Sequence, residues 1–376
     1  MRTQKYQIGQ LGKVITGATP PTKHPELYGD AYPFITPTDI TDETVTVQPE
    51  RGLSELGYEK YRTKVVPAGA VCYTCIASIG KICIADRPSL TNQQINSIVV
   101  DEALCDYRFL YYLLRHKTPS IQAIASGAAT PIINKSAFAA IEVDLPPLSA
   151  QKCIASFLWQ YDQLIANNTR RIAILEEMAQ AIYREWFVHF RFPGHEQVEM
   201  VESELGPIPA GWEVARLRDV IAVIESGSRP RSAKTDDPKG VVSIGAGNIS
   251  GLGRYNYGKD PLVTRDFYDR LTKGRVKSGD VLLYKDGAQI GRKAMFRDGF
   301  PYEECCVNEH VLILRTNDRC SQEYLYFWLD QPDMTVRIIN LNSNAAQPGI
   351  TQDGVLGLPI VIPPREMING FAAIAD

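Results

Sequence analysis

Two similar α+β domains joined by a long conserved helix of coiled-coil type are what the sequence predicts, and three observations carry that prediction. One set of landmarks recurs in the same order in both halves of the chain. Between the halves, a stretch from Pro147 to Pro193 contains no helix breaker and repeats apolar residues every 3.5 positions. Within each half, short strand-like runs are followed by one helical run and a closing strand.

The repeat is clearest at its end. "GAATPIINKSAFAAIEVDLPP", from Gly127 to Pro147, is matched by "NAAQPGITQDGVLGLPIVIPP", from Asn344 to Pro364. Pro131 and Pro348 lie 217 residues apart, and so do Pro147 and Pro364. Further back, "FLYYLL" meets "YLYFWL", and "VPAGAVCY…SIGK" meets "VKSGDVLLY…QIGR". "TGATPPTK" meets "SGSRPRSAK", and "YQIGQLGKV" meets "WEVARLRDV". Landmarks repeated in order mark a duplicated unit, placed at 1–147 and 211–364. Each copy reads as a short helix, a Gly/Pro loop, and short strands such as "YPFIT", "AVCYTC" and "NSIVV". A helix follows ("YRFLYYLLRH" or "SQEYLYFWLDQ"), then a last strand ("AAIEVDL" or "GLPIVI"). That pattern is an α+β domain with a largely antiparallel or mixed sheet.

The segment 148–192 reads as one helix with Ser149 as its N-cap. Ile154, Leu158, Tyr161, Ile165, Asn168, Ile172, Leu175, Ala179, Ile182 and Trp186 alternate spacings of four and three, the seam of a coiled coil. A polar residue on that seam, Asn168, trades stability for register. The alternative, an amphipathic helix lying on a core, calls for a wider apolar stripe and a shorter helix. A helix of this length would reach about 60 Å. The polar, acidic stretch 193–210 reads as a linker. A second helix starts at 365–376 and breaks off after about two turns. The seam therefore wants a facing helix, and either the sequence is C-terminally truncated or another chain, such as a second copy, supplies one.

Composition narrows the function. No run of apolar residues is long enough to span a bilayer, and the N-terminus lacks the apolar core of a signal peptide, so a cytoplasmic location is expected. The net charge is −3, yet Gly211 to Phe300 carries 17 Lys/Arg against 11 Asp/Glu, a local basic field. Cys72 and Cys75 form a CxxC, but the repeat places them opposite Leu282 and Lys285 inside a strand, so no metal site is expected. "SIGKI" lacks the first glycine of a phosphate loop, and Gly-x-Ser-x-Gly and His-Glu-x-x-His are absent. No catalytic residue and no cofactor is assigned.

Candidate binding residues lie where the matched copies differ. Lys23 follows "TGATPPT", and Arg229, Arg231 and Lys234 stand in its counterpart. Ser78 and Lys81 lie in one hairpin region, with Lys285, Gln289, Arg292 and Lys293 in the other. "TNQQIN", with Asn92, Gln93 and Gln94, faces "VNEH", with Asn308, Glu309 and His310. Amide side chains suit adenine edges, Arg and Lys suit guanine, and other basic or hydroxyl groups hold phosphates. As a set they look like two separate nucleic-acid readers.

"IEVDLPPLSAQKCIASFLWQYDQLI", and "LGPIPAGWEVARLRDV" opening the second copy, closely resemble the specificity subunit of type I restriction–modification systems, and the resemblance spans the whole chain. It implies two target-recognition domains, each reading half of a bipartite double-stranded DNA target, with the helices as a spacer. It also implies methyltransferase subunits that methylate adenine and restriction/translocase subunits as partners, with no cofactor on this chain. The alternative is a truncated form acting mainly in coiled-coil assembly or dimerisation. The departure from the family pattern is the short second helix.

Overall fold

A computed structural model describes residues 3–41, 45–125, 131–228, 233–257, 260–342 and 349–376. The chain divides into two compact units, Met1–Ile172 and Ala173–Asp376.

In the first unit the strand Gln4–Gln7 pairs antiparallel with Glu142–Leu145, so the copy closes start to end. The second unit repeats this closure with Glu213–Arg216 and Pro359–Ile362. These openings were expected to be short helices. Instead, each is a strand, one 3₁₀ turn and a second strand. The turn Ile8–Gln10 is capped at its start by the Gln7 N–H donating to Gln10 Oε1 at 2.7 Å. Its counterpart Leu217–Asp219 is held by the Arg216 N–H donating to Asp219 Oδ2 at 2.8 Å. Ile8, Leu11 and Leu217 are buried, and the next residues enter a sheet at once, which outweighs a marginal helix.

Besides its two-stranded pairings, each unit holds, among the described residues, two larger sheets of matching connection. In the first, the order Gly12–Thr16, Ile95–Val100, Val71–Thr74, Ile82–Ile84 is antiparallel throughout. A second four-stranded sheet joins Tyr28–Ile35 to Ser89–Thr91 in parallel, with Ile35 opposite Thr91. In the second, Ile221–Ser226, Val311–Thr316, Val281–Tyr284 and Lys293–Met295 repeat the antiparallel order. Gly251–Leu252 adds a parallel edge. The parallel pair recurs with Ile244 opposite Val307. One difference stands out: the helix Tyr107–Ala125 runs on through Pro119, whereas its counterpart is split into Gln322–Leu329 and Pro332–Asn340. Pro332, at the first turn of the second piece, starts a helix as readily as it ends one.

The long helix is present as Leu148–Tyr183, continued by a wide π turn, Arg184–Val188. It starts one residue earlier than the expected cap. Pro147 O accepts the N–H groups of Ala150 and Gln151 at 2.8 and 3.1 Å, which places Ser149 inside the first turn. Gln151 is buried and anchors this end in the first unit. Its Nε2 donates to Pro146 O at 2.9 Å and Leu104 O at 3.2 Å, and its Oε1 accepts the Asp106 N–H at 3.1 Å.

At the helix's other end Ala179, Tyr183 and Phe187 belong to the core of the second unit. Phe187 sits 4.9 Å from Tyr324, 5.3 Å from Phe371 and 6.0 Å from Trp212, ring centre to ring centre. The helix Arg365–Ala375 begins directly after Pro364 and buries Ile368 and Phe371 here. The stretch 193–210, read as a linker, is folded onto this unit. Met200–Val201 pairs with Ile208–Pro209, Ile208 is buried, and the neighbouring Phe192 stacks on Trp212 at 5.4 Å.

Cys72 lies opposite Cys83 across a strand pair, and burial pushes the Cys75 thiol up to about 11, so Cys75 is not a thiolate near neutral pH. Among the described residues no helix is long and apolar enough to cross a membrane, and no group of three or more His, Cys, Asp or Glu could hold a metal.

Candidate nucleic-acid interface

At one end of the antiparallel sheet in the first unit, three connections meet: the loop after Thr16, the hairpin 75–81 and the turn 92–94. Gly17 N–H donates to Ile95 O at 3.1 Å and Ala18 N–H to Thr91 O at 2.8 Å. Thr19 Oγ1 donates to Gln93 Oε1, tying the first loop to the amide turn. Cys75 N–H donates to Gln94 O at 2.7 Å, joining that turn to the hairpin. Gln93 and Ser78 are exposed beside one another's loops and Gln94 is half-buried. Lys23 is exposed on the same first loop, six residues beyond Gly17. Lys81 closes the hairpin through its carbonyl, which accepts Thr74 N–H at 2.9 Å. Its ammonium donates to Pro37 O at 2.8 Å, so it links the two sheets and is half-buried.

The second unit gathers the equivalent loops. Tyr284 N–H donates to Arg292 O at 2.8 Å, which sets Arg292 in the place Lys81 holds in the first copy, and leaves its side chain exposed. Gln289 is exposed on the turn Gly287–Gln289. Lys285 is half-buried, its N–H donating to His310 O at 3.0 Å. His310 Nδ1 lies 2.7 Å from Asp286 Oδ2 and its Nε2 3.5 Å from Glu309 Oε1. Lys234 is exposed on the strand Lys234–Thr235. Arg229 and Arg231 lie outside the described residues.

Lys293 departs from expectation. It opens the strand Lys293–Met295 directly after the turn that ends at Arg292. Arg292 faces solvent while Lys293 is buried, 3.3 Å from Asp330 Oδ1 and donating to Thr335 Oγ1 at 2.8 Å. Burial outweighs Asp330 and lowers its pKa. Such a group holds structure and is not placed to meet a phosphate. Asp286 was missed by sequence reasoning. The signal was available: it follows Lys285, and its partner His310 was already matched to Gln94.

The expected seam divides between the units. In the first, Gln151 and Ala155 are buried and Leu158 and Trp159 half-buried, whereas Ile154, Tyr161, Ile165 and Ile172 are 40%, 56%, 52% and 52% exposed. Asn168 is exposed as well. In the second, Leu175 is 61% exposed, Ile182 and Trp186 are half-buried, and Ala179 is buried.

Two copies of one mixed-sheet domain, each with a loop cluster at one sheet end, define a duplicated-domain protein with a long connecting helix. Residues 2–177 and 209–367 match the type I restriction modification DNA specificity domain, and the chain belongs to that family. It is 34% identical over 227 residues to the MjaIX type I restriction enzyme specificity subunit of Methanocaldococcus jannaschii, covering 59% of this chain and 52% of that one. It is 37% identical over 141 residues to the HindI specificity subunit of Haemophilus influenzae, covering 37% of this chain and 31% of that one. The chain thus spans about half or less of the length of these relatives. A solved S subunit of a type I restriction-modification system from M. genitalium shares the fold, with a TM-score of 0.61 at 15% identity, covering 100% of this chain and 88% of that one.

Proposed function

We propose that this chain is the DNA-recognition subunit of a type I restriction–modification complex. Each loop cluster reads one half of a bipartite duplex target, and methyltransferase and restriction/translocase subunits carry out adenine methylation and cleavage. The chain itself catalyses nothing in this account. The observation that supports it is the recurrence of one loop cluster, built on the same framework, in two copies matched to a DNA specificity domain.

Titrating labelled duplex DNA at several salt concentrations tests the proposal. Arg292→Ala is expected to weaken binding and, if the contact is to phosphate, to reduce the slope of log K against log salt by about one. Lys293→Met, whose side chain is turned inward onto Asp330, is expected to leave the salt slope unchanged, since its ammonium is not placed to meet a phosphate. The opposite pattern, with Lys293 sensitive and Arg292 silent, contradicts the assignment.

A second reading is supported by the exposed apolar face of the long helix, which suits pairing with a helix of another chain or a second copy. Light scattering of the purified chain and of Asn168→Leu decides it. A dimer strengthened by leucine supports assembly, and a monomer in both cases removes it.

A further inference from the structure

We infer that Asn92 and Asn308 are the positioning residues of the two reading surfaces, each holding its loop cluster in the shape that meets one half-site. This rests on the DNA-reading assignment above.

In the first unit Asn92 N–H donates to Ile35 O at 2.9 Å, its carbonyl accepts Ile95 N–H at 3.0 Å, and its Oδ1 accepts Gln94 N–H at 2.5 Å. Gln94 O then accepts Cys75 N–H at 2.7 Å, and Cys75 O accepts Ile133 N–H at 2.8 Å. The second unit repeats every one of these bonds. Asn308 N–H donates to Ile244 O at 3.0 Å, its carbonyl accepts Val311 N–H at 3.3 Å, and its Oδ1 accepts His310 N–H at 2.9 Å. His310 O accepts Lys285 N–H at 3.0 Å, and Lys285 O accepts Ile350 N–H at 2.9 Å.

The side chains on this shared frame are otherwise different. "TNQQI" and "VNEHV", residues 91–95 and 307–311, have only the asparagine in common. A short side-chain acceptor turning the chain two residues on is the local chemistry asparagine supplies. The first loop is pressed directly onto that turn. A Cβ at Gly17 would fall 2.0 Å from Thr91 O and 2.3 Å from Asn92 O. One at Gly227 would fall 1.6 Å from Val307 O and 2.7 Å from Asn308 O. The asparagine therefore joins the first loop, the hairpin and the parallel strand pair at a single point. Removing its side-chain acceptor loosens the turn from which the backbone bonds to these elements are made, and only in its own copy.

The test is selection from a randomised duplex pool, followed by measuring how far each variant prefers each enriched motif over scrambled duplex. The wild-type chain enriches two half-site motifs. Asn92→Ala is expected to lose about tenfold of its preference for one motif, the scale of a lost hydrogen bond, and to keep the other. Asn308→Ala should do the reverse. Asn92→Asp and Asn308→Asp, which still accept the N–H, restore the preference. Asn92→Gln and Asn308→Gln, whose arm is too long to close the turn, behave like alanine and serve where an alanine variant does not fold. Equal loss at both motifs, no loss at either, or folded Asp variants that fail to restore selectivity overturn the inference. A wild-type chain that enriches nothing overturns the DNA-reading assignment itself, and the inference with it.

Discussion

Phe187→Ala is expected to destabilise the second unit by about 3–5 kcal/mol, the range for removing a fully packed aromatic side chain. Phe187 is buried where the end of the long helix meets Tyr324 on one side, Trp212 on another and Phe371 on a third. Edge-on ring pairs add about 0.5–1.5 kcal/mol each beyond burial. The site cannot collapse readily, because its walls come from four separate segments of the chain. Urea unfolding followed by tryptophan fluorescence reads the change, since Trp186 and Trp212 both lie within about 6 Å of this ring. A shift in midpoint corresponding to less than about 1 kcal/mol would show that the helix end is not part of this core.

Asp280→Ala carries the second large effect, about 2–3 kcal/mol, by taking from a half-buried guanidinium the carboxylate that accepts two of its hydrogen bonds and leaving it only Glu225 and one carbonyl. Arg315 Nε and Nη2 donate to the two oxygens of Asp280 at 2.6 and 2.7 Å. Arg315 Nη1 reaches Glu225 Oε1 at 3.2 Å, and Nη2 also donates to Arg275 O at 2.9 Å. The three side chains stand on the strand Val311–Thr316, on its neighbour Ile221–Ser226 and just before Val281–Tyr284. The cluster therefore fixes the register of three strands.

Burial raises the Asp280 carboxyl above the ordinary aspartate value despite the pull of Arg315. The native chain then binds that proton more tightly than the unfolded chain does, so this residue adds stability as pH falls through the raised value and withdraws it as pH rises. Wild type and Asp280→Asn compared by urea melts across that window should diverge in this sense. Divergence of the opposite sign would mean that the Arg315 pair outweighs burial.

Much of this fold was legible because duplication prints itself twice. The Pro-Pro corners at Pro147 and Pro364 marked both helix starts, and the matched apolar runs marked the paired strands. Less legible was the face of the long helix that is buried. Gln151 and Ala155 do that work at the first unit, and a glutamine and an alanine give no hydropathy signal. The heptad of Ile154, Tyr161, Ile165 and Ile172 does give one, and it runs along an exposed face. The opening strands were mistaken for helices because "YQIGQLG" carries its apolar residues at a spacing that fits one turn. Lys293 was misplaced because the inward or outward sense of a strand residue depends on the register, and its partner Asp330 is distant in sequence. The loop clusters were found as sets, since they are where matched copies diverge. Their shared frame was not, since it is made of backbone bonds around one asparagine.

The most direct measurement is the sequence preference of the chain, alone and with the methyltransferase subunit proposed as its partner, read by sequencing duplexes recovered from a randomised pool. Two short motifs separated by a constant number of unselected base pairs are the expected result. A single uninterrupted motif, or recovery without any preference, would contradict an account in which each copy of the domain reads its own half of the target.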